Sequence, residues 1–292
     1  MREYLMVLLA VVLLALGFVL RKVYQNHTDG TTESGVNFGI MSAVCSIVIL
    51  VLTSGFTISF TWFSVAMALW GALCCLAYTV IGFRIMKEGG MALFTLFLMS
   101  GGMLVPAVWG WLFLHEKPVP LHLLGVLVVL AAVILGNLGS DRPSAKVLLL
   151  CVAVFVLNGF VSVSSKLHQA NEIYEKVPTA NYALLSAAAS LVSSLLLRLL
   201  LFLKNGSRKK CSAKHILLPV GIVAGYSLLG TFSSVLQLEG AKSLPASVLY
   251  PMITGGSVAL TGIFALLFFG EKLSKRGWLS VALCCLGTCL FI

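Results

Sequence analysis

Few side chains in this sequence could do chemistry, and their types point to binding rather than catalysis. The polar residues that fall within apolar stretches include Asn37, Tyr78, Asn158, Ser162, Asn181, Tyr226, Ser233, Gln237, Tyr250 and Thr254. These amides, hydroxyls and phenols can orient a small solute by hydrogen bonds. Lys22 and Lys166 close apolar stretches and could meet a carboxylate or phosphate on a solute, or serve as gate charges. No Asp or Glu lies inside an apolar stretch. His27, His115, His122, His168 and His215 sit at the ends of such stretches, with no zinc spacing and no nucleophile–base pairing to Asp, Ser or Cys. An enzyme is therefore not expected, nor is a metal or cofactor.

The elements that must position these residues follow from composition. Of 292 residues, 59% are hydrophobic and 10% charged, with a mean hydropathy of +1.03. A soluble domain carries roughly 25% charge, so this is a membrane protein. The net charge of +10 does not point to nucleic acid, because the basic residues sit in short gaps between apolar runs.

A membrane helix needs about 20 apolar residues. The runs predict ten helices, over 4–21, 35–53, 60–83, 89–114, 118–138, 146–166, 178–203, 215–238, 244–269 and 275–292. The 50-residue run 34–83 is divided near Thr53-Ser54-Gly55. Trp62 is expected at an interface and Trp70 in the interior. Arg198 falls inside the seventh span and can snorkel to the interface. The first run follows Arg2 as in a signal peptide, but no small-residue cleavage pattern follows promptly, so it is kept as a helix. Seven of eight cysteines lie in the spans, where small apolar packing is their expected role; Cys211 lies in a loop.

The chain repeats itself. Shifted by 155 residues, Lys87 meets Lys242, Gly101 meets Gly256, and Glu116-Lys117 meets Glu271-Lys272. Shifted by 144, Lys22 meets Lys166, Asn37 meets Asn181, and Ser42-Ala43 meets Ser186-Ala187. An insertion around 204–214 accounts for the difference. Each half, 1–140 and 141–292, holds five helices. Five is odd, so the second half enters the membrane inverted. The expected fold is an all-α integral membrane protein of ten transmembrane helices in two inverted five-helix repeats, a design recurrent in transporters.

Two signatures carry a family resemblance. One is Leu112-Phe113-Leu114-His115-Glu116-Lys117; the other is Leu267-Phe268-Phe269-Gly270-Glu271-Lys272-Leu273-Ser274. Upstream of the second stand Ala246-Ser247-Val248-Leu249-Tyr250-Pro251 and Gly255-Gly256. The sequence resembles the EamA-like members of the drug/metabolite transporter superfamily. It departs from their pattern at His115, where Gly is usual, and at Leu96, which matches Pro251. The resemblance implies two inverted five-helix halves, a central substrate cavity and transport of small organic solutes. Small multidrug pumps of the superfamily carry a Glu in their first helix, and this chain has none there.

Glu116 and Glu271 each precede an apolar run and are expected to cap that following helix. Gly101, Gly102, Gly255 and Gly256 are expected to allow close helix packing or bending. With ten spans both termini share a side. That side carries five basic residues and the other fifteen, so the positive-inside rule puts the termini outside, whereas the family pattern suggests the cytoplasm.

The expected function is a secondary transporter, an exporter or exchanger of small organic metabolites in the plasma (inner) membrane. Amino acids or similar zwitterions are preferred, because the spans offer uncharged polar groups and no basic cluster for phosphates. Efflux of lipophilic cations and a lipid-linked flippase subunit are the alternatives. The expected partners are a small-molecule solute and membrane lipids, not nucleic acid, and a monomer is a plausible unit.

Overall fold

A backbone surrounded by lipid must satisfy its own hydrogen bonds, and a helix does this within one segment. The computed structural model describes residues 2–28, 32–88, 91–117, 119–137, 144–205, 217–270 and 275–291, and its regular elements there are all helical. They are α1 (Arg2–Asn26), α2 (Thr32–Thr53), α3 (Trp62–Glu88), α4 (Met91–Phe113), α5 (Pro120–Asn137), α6 (Ala145–Ala170), α7 (Thr179–Asn205), α8 (Leu217–Ser243), α9 (Ala246–Phe269) and α10 (Lys275–Cys289). Among the described residues, eight are long and apolar enough to cross a membrane; α5 and α10 are the shorter two. The Glu271-Lys272 turn and Cys211 lie outside the described residues.

Several helices run past their apolar stretch. α1 continues through Arg21 and Lys22, and α8 continues through Glu239 and Lys242. Helical hydrogen bonding continues where polar side chains can reach the interface, so an apolar run marks the lipid-embedded part and not the helix end.

The break inside the long second run is a Schellman turn. Gly55 N–H donates to Leu52 O and Phe56 N–H to Val51 O, with Gly55 at φ +60°. The two family signatures share a left-handed residue. Gly270 stands at φ +63° and His115, its counterpart under the 155-residue shift, at φ +54°. Ser144 caps α6 by accepting from Val147 N–H (3.3 Å).

α1 packs on α8 and α9, and α6 on α3 and α4. α2 packs against α7, α5 against α10, and α4 against α9. The main apolar cluster gathers Val7, Met103, Val129, Val248, Leu249 and Met252 from α1, α4, α5 and α9. Gly101 brings α4 onto the α6 backbone at Phe155, where any Cβ would overlap it. Gly256 brings α9 within 2.8 Å (from an ideal Cβ) of Val11 on α1.

The outer faces are apolar and exposed. On α7 these include Leu195, Leu196, Leu199, Leu200, Phe202 and Leu203. Apolar surface this extensive is stable only against lipid. Trp70, expected in the interior, is instead half exposed on α3, edge-on to Phe160. Its residue type did not reveal the helix face it occupies.

Candidate functional site

α6 carries Asn158, Ser162 and Lys166 at spacings of four residues, so they form one stripe along the helix. Each ties α6 to a different element. Asn158 Nδ2 donates to Leu98 O on α4 (2.7 Å), beside Gly102, where a Cβ would meet that nitrogen at 2.6 Å. The Ser162 carbonyl accepts from Tyr250 Oη on α9 (2.6 Å). Lys166 Nζ donates to Ala241 O (3.1 Å) and Leu244 O (2.7 Å) at the end of α8, and pairs with Glu116 Oε1 (3.3 Å).

Lys166 is only 5% exposed, so the hydrocarbon stem and the charge are both buried. It does not snorkel outward, because three acceptors surround its ammonium inside the bundle. Glu116 corrects the sequence expectation. Its carboxylate accepts from Ala246 N–H (3.0 and 2.8 Å), the first residue of α9, rather than capping the helix that follows it. The turn allows this because Glu116 N–H donates back to Gly110 O (3.0 Å) and the side chain folds over Gly110. Pro245 gives α9 no side-chain cap of its own, so Glu116 supplies one from the other half.

Beside this pair lies a second buried network, which the sequence reading missed. His168 Nε2 meets Ser64 Oγ (2.8 Å), and His168 Nδ1 faces Gln169 Nε2 (3.2 Å). Ser64 Oγ also accepts from Val177 N–H (3.1 Å), and Thr179 Oγ1 meets Gln169 Oε1 (3.5 Å). The imidazole stacks between Phe63 and Tyr182. The only signal in the sequence was the polar run Lys166, His168, Gln169 at the end of an apolar stretch.

The other candidates fall in two groups. On α8, Ser233 Oγ donates to Ala10 O (2.6 Å) and Gln237 Nε2 donates to Ser233 Oγ (3.0 Å). The serine proton is committed to Ala10, so the amide must present its nitrogen to the serine and turn Oε1 away. Asn158 Oδ1 is turned away from Leu98 because the carbonyl oxygen there can only accept. Thr254 is half-buried on α9, and Tyr78 accepts from Cys75 Sγ (3.3 Å) next to the Ile85–Val154 cluster.

Asn37, Asn181 and Lys22 lie apart from the stripe. Asn181 binds the turn before α3, donating to Thr57 O (3.0 Å) and accepting from Ser59 N–H (3.2 Å). Asn37 accepts from Arg198, and Lys22 lies over the Phe269 ring (4.6 Å). Tyr226 packs on Phe38 and approaches Gly17. Gly101 and Gly256 are close-approach positions, as is Gly102; at Gly255 an added Cβ would meet Thr288 Oγ1 at 2.9 Å and Val129 at 3.0 Å.

These contacts define two ends of the bundle. Glu116, Lys166, His168, Asn181 and Ala246 gather at one, with the starts of α1, α7 and α9. Lys22, Asn37, Arg198 and Phe269 gather at the other.

Comparison with known proteins places this arrangement. A family model described as the EamA-like transporter family matches residues 145–292. The spermidine export protein MdtI of Salmonella arizonae is 28% identical over 100 residues, covering 34% of this chain and 83% of that protein. A solved crystal structure superposes with a TM-score of 0.72 over 99% of this chain and 97% of the other, at 16% identity, which establishes a shared fold alone. The chain belongs to the EamA-like transporter family and is a multi-pass plasma-membrane transporter of small molecules.

Proposed function

We propose that this protein exports or exchanges small organic metabolites, with amino acids or similar zwitterions as the preferred class, by alternating access between two inverted halves, 1–140 and 141–292. One observation carries the substrate class. The stripe and the groups that meet it are polar but electrically neutral as a whole: Asn158, Ser162 and Tyr250 are uncharged, and the buried Lys166 charge is balanced by Glu116. A net cation or net anion entering such a site meets no uncompensated opposite charge.

The inverted arrangement is supported by paired contacts. Gly101 lies against Phe155, and Gly256 against Val11. Shifts of 155 and 144 residues convert one contact into the other. The packing of α1 on α8 and of α6 on α3 obeys the same exchange.

MdtI is named as a spermidine exporter, so cation efflux is the second reading. A polyamine would need a free interior carboxylate. Glu116, half-buried with 12% of its side chain exposed, is held by Lys166 and Ala246 N–H.

The test is counterflow in proteoliposomes loaded with neutral amino acids, spermidine or a quaternary ammonium. Exchange of amino acids supports the reading. Exchange of spermidine or the quaternary cation alone would overturn it.

A further inference from the structure

Resting on the zwitterion reading, we infer that the Glu116–Lys166 contact is itself the recognition site: a solute bearing one ammonium and one carboxylate inserts between the two side chains, its ammonium on Glu116 and its carboxylate on Lys166.

The geometry separates two kinds of contact. Each charge keeps a short anchor to backbone. Glu116 has Ala246 N–H at 2.8 Å, and Lys166 has Leu244 O at 2.7 Å. Their contact with each other is longer, 3.3 Å. Separating them breaks the pair and leaves both anchors in place. Glu116 stays on the amide end of α9, and Lys166 stays on the carbonyl end of α8. These two helix ends carry partial charges that match their tenants, positive at the start of α9 and negative at the end of α8. The side chains are therefore held as two fixed poles facing one another.

The poles come from different helices but share the α8–α9 corner, Leu244 and Ala246, as their anchor. Glu116 lies in the corner between α4 and α5, and Lys166 on α6. Their contact, like the bond from Ala246 N–H to Glu116, joins residues 1–140 to residues 141–292. One turn inward from Lys166 is Ser162, and one turn inward from Ala246 is Tyr250; these two meet at 2.6 Å. The pair thus sits one turn from the Ser162–Tyr250 contact on the polar stripe.

Charge conservation selects the ligand. Burial leaves Lys166 and Glu116 with 6% and 12% of their side chains exposed. An amine alone would satisfy Glu116 and strand Lys166 without an anion. A carboxylate alone would do the reverse. Either leaves one uncompensated charge in a water-poor site. A zwitterion replaces both halves of the broken pair at once, so it binds without stranding either charge.

The test is thermal stability of the purified full chain in detergent, titrated with neutral L-amino acids one at a time. Isoamylamine and 4-methylpentanoate serve as the one-charge counterparts of leucine. A ligand that binds the folded state raises Tm according to its Kd. The expected result is a Tm rise with an amino acid, none with the one-charge counterparts, and at least a tenfold weaker response in Glu116→Gln/Lys166→Gln. An undiminished response in that double variant overturns this inference while the zwitterion reading stands. No response of the unmodified protein to any amino acid overturns the zwitterion reading itself, and the inference with it. Where the double variant does not stay monodisperse, the unmodified protein still decides: a one-charge counterpart that raises Tm as far as leucine overturns the inference.

Discussion

Glu116 Oε1 stands 3.3 Å from Lys166 Nζ, and the pair joins the α4–α5 corner to the ends of α6, α8 and α9. The two residues are 50 positions apart in sequence, yet they share the least exposed ion pair among the described residues. Four consequences of this and related contacts can be measured.

Removing one partner of a buried pair costs more than removing both. Lys166→Met or Glu116→Gln alone strands the other charge, a loss of about 3–5 kcal/mol. The double variant Glu116→Gln/Lys166→Met is expected to lose less than the sum and to melt above at least one single variant. Melting curves in detergent for the four proteins give the coupling; strictly additive Tm changes would show that the pair carries no interaction.

Asn158→Ala and Tyr250→Ala are each expected to abolish transport in proteoliposomes while the protein remains folded. Each loses one interhelical hydrogen bond, to Leu98 O and Ser162 O respectively. The hydrogen bond is worth about 0.5–1.5 kcal/mol; Tyr250→Ala also removes a ring packed on the main apolar cluster, a loss of about 3–5 kcal/mol, so Tyr250→Phe is the variant that removes the bond and keeps the packing. Normal transport by both variants would remove the stripe from the solute path.

Gly101 and Gly230 should respond oppositely to Ala. At Gly101 the new Cβ overlaps the Phe155 backbone, so α4 must withdraw from α6. The expected loss is about 1–3 kcal/mol. At Gly230 nothing lies within 4 Å, and the helix gains about 0.5–1 kcal/mol from the better helix former. Equal Tm values for the two variants would contradict the close α4–α6 approach.

His115 is held at φ +54°, where its counterpart Gly270 stands at φ +63°. A side chain in that region costs roughly 1–2 kcal/mol, partly offset because glycine is more flexible when unfolded. His115→Gly is expected to gain up to about 1 kcal/mol, and Gly270→Ala to lose about as much. The measurement is Tm in the same detergent, and a lower Tm for His115→Gly would indicate that the imidazole makes a contact worth more than the strain.

The sequence by itself determined what lipid and backbone chemistry require. Apolar runs of about 20 residues have one stable solution in a bilayer, so the ten helices and the break at Gly55 were readable from run length and turn residues. The internal matches at 144 and 155 residues paired Gly101 with Gly256 and His115 with Gly270 before any coordinates. What composition could not supply was rotation about each helix axis and the partner across each interface. Trp70 faces outward and Lys166 inward, although both lie in apolar surroundings, because neighbouring helices set those faces. Glu116 was legible as a helix cap, but sequence adjacency pointed to α5. Only tertiary packing brought the bare start of α9 closer to its carboxylate than the next helix in the chain, and placed Lys166 there to balance its charge.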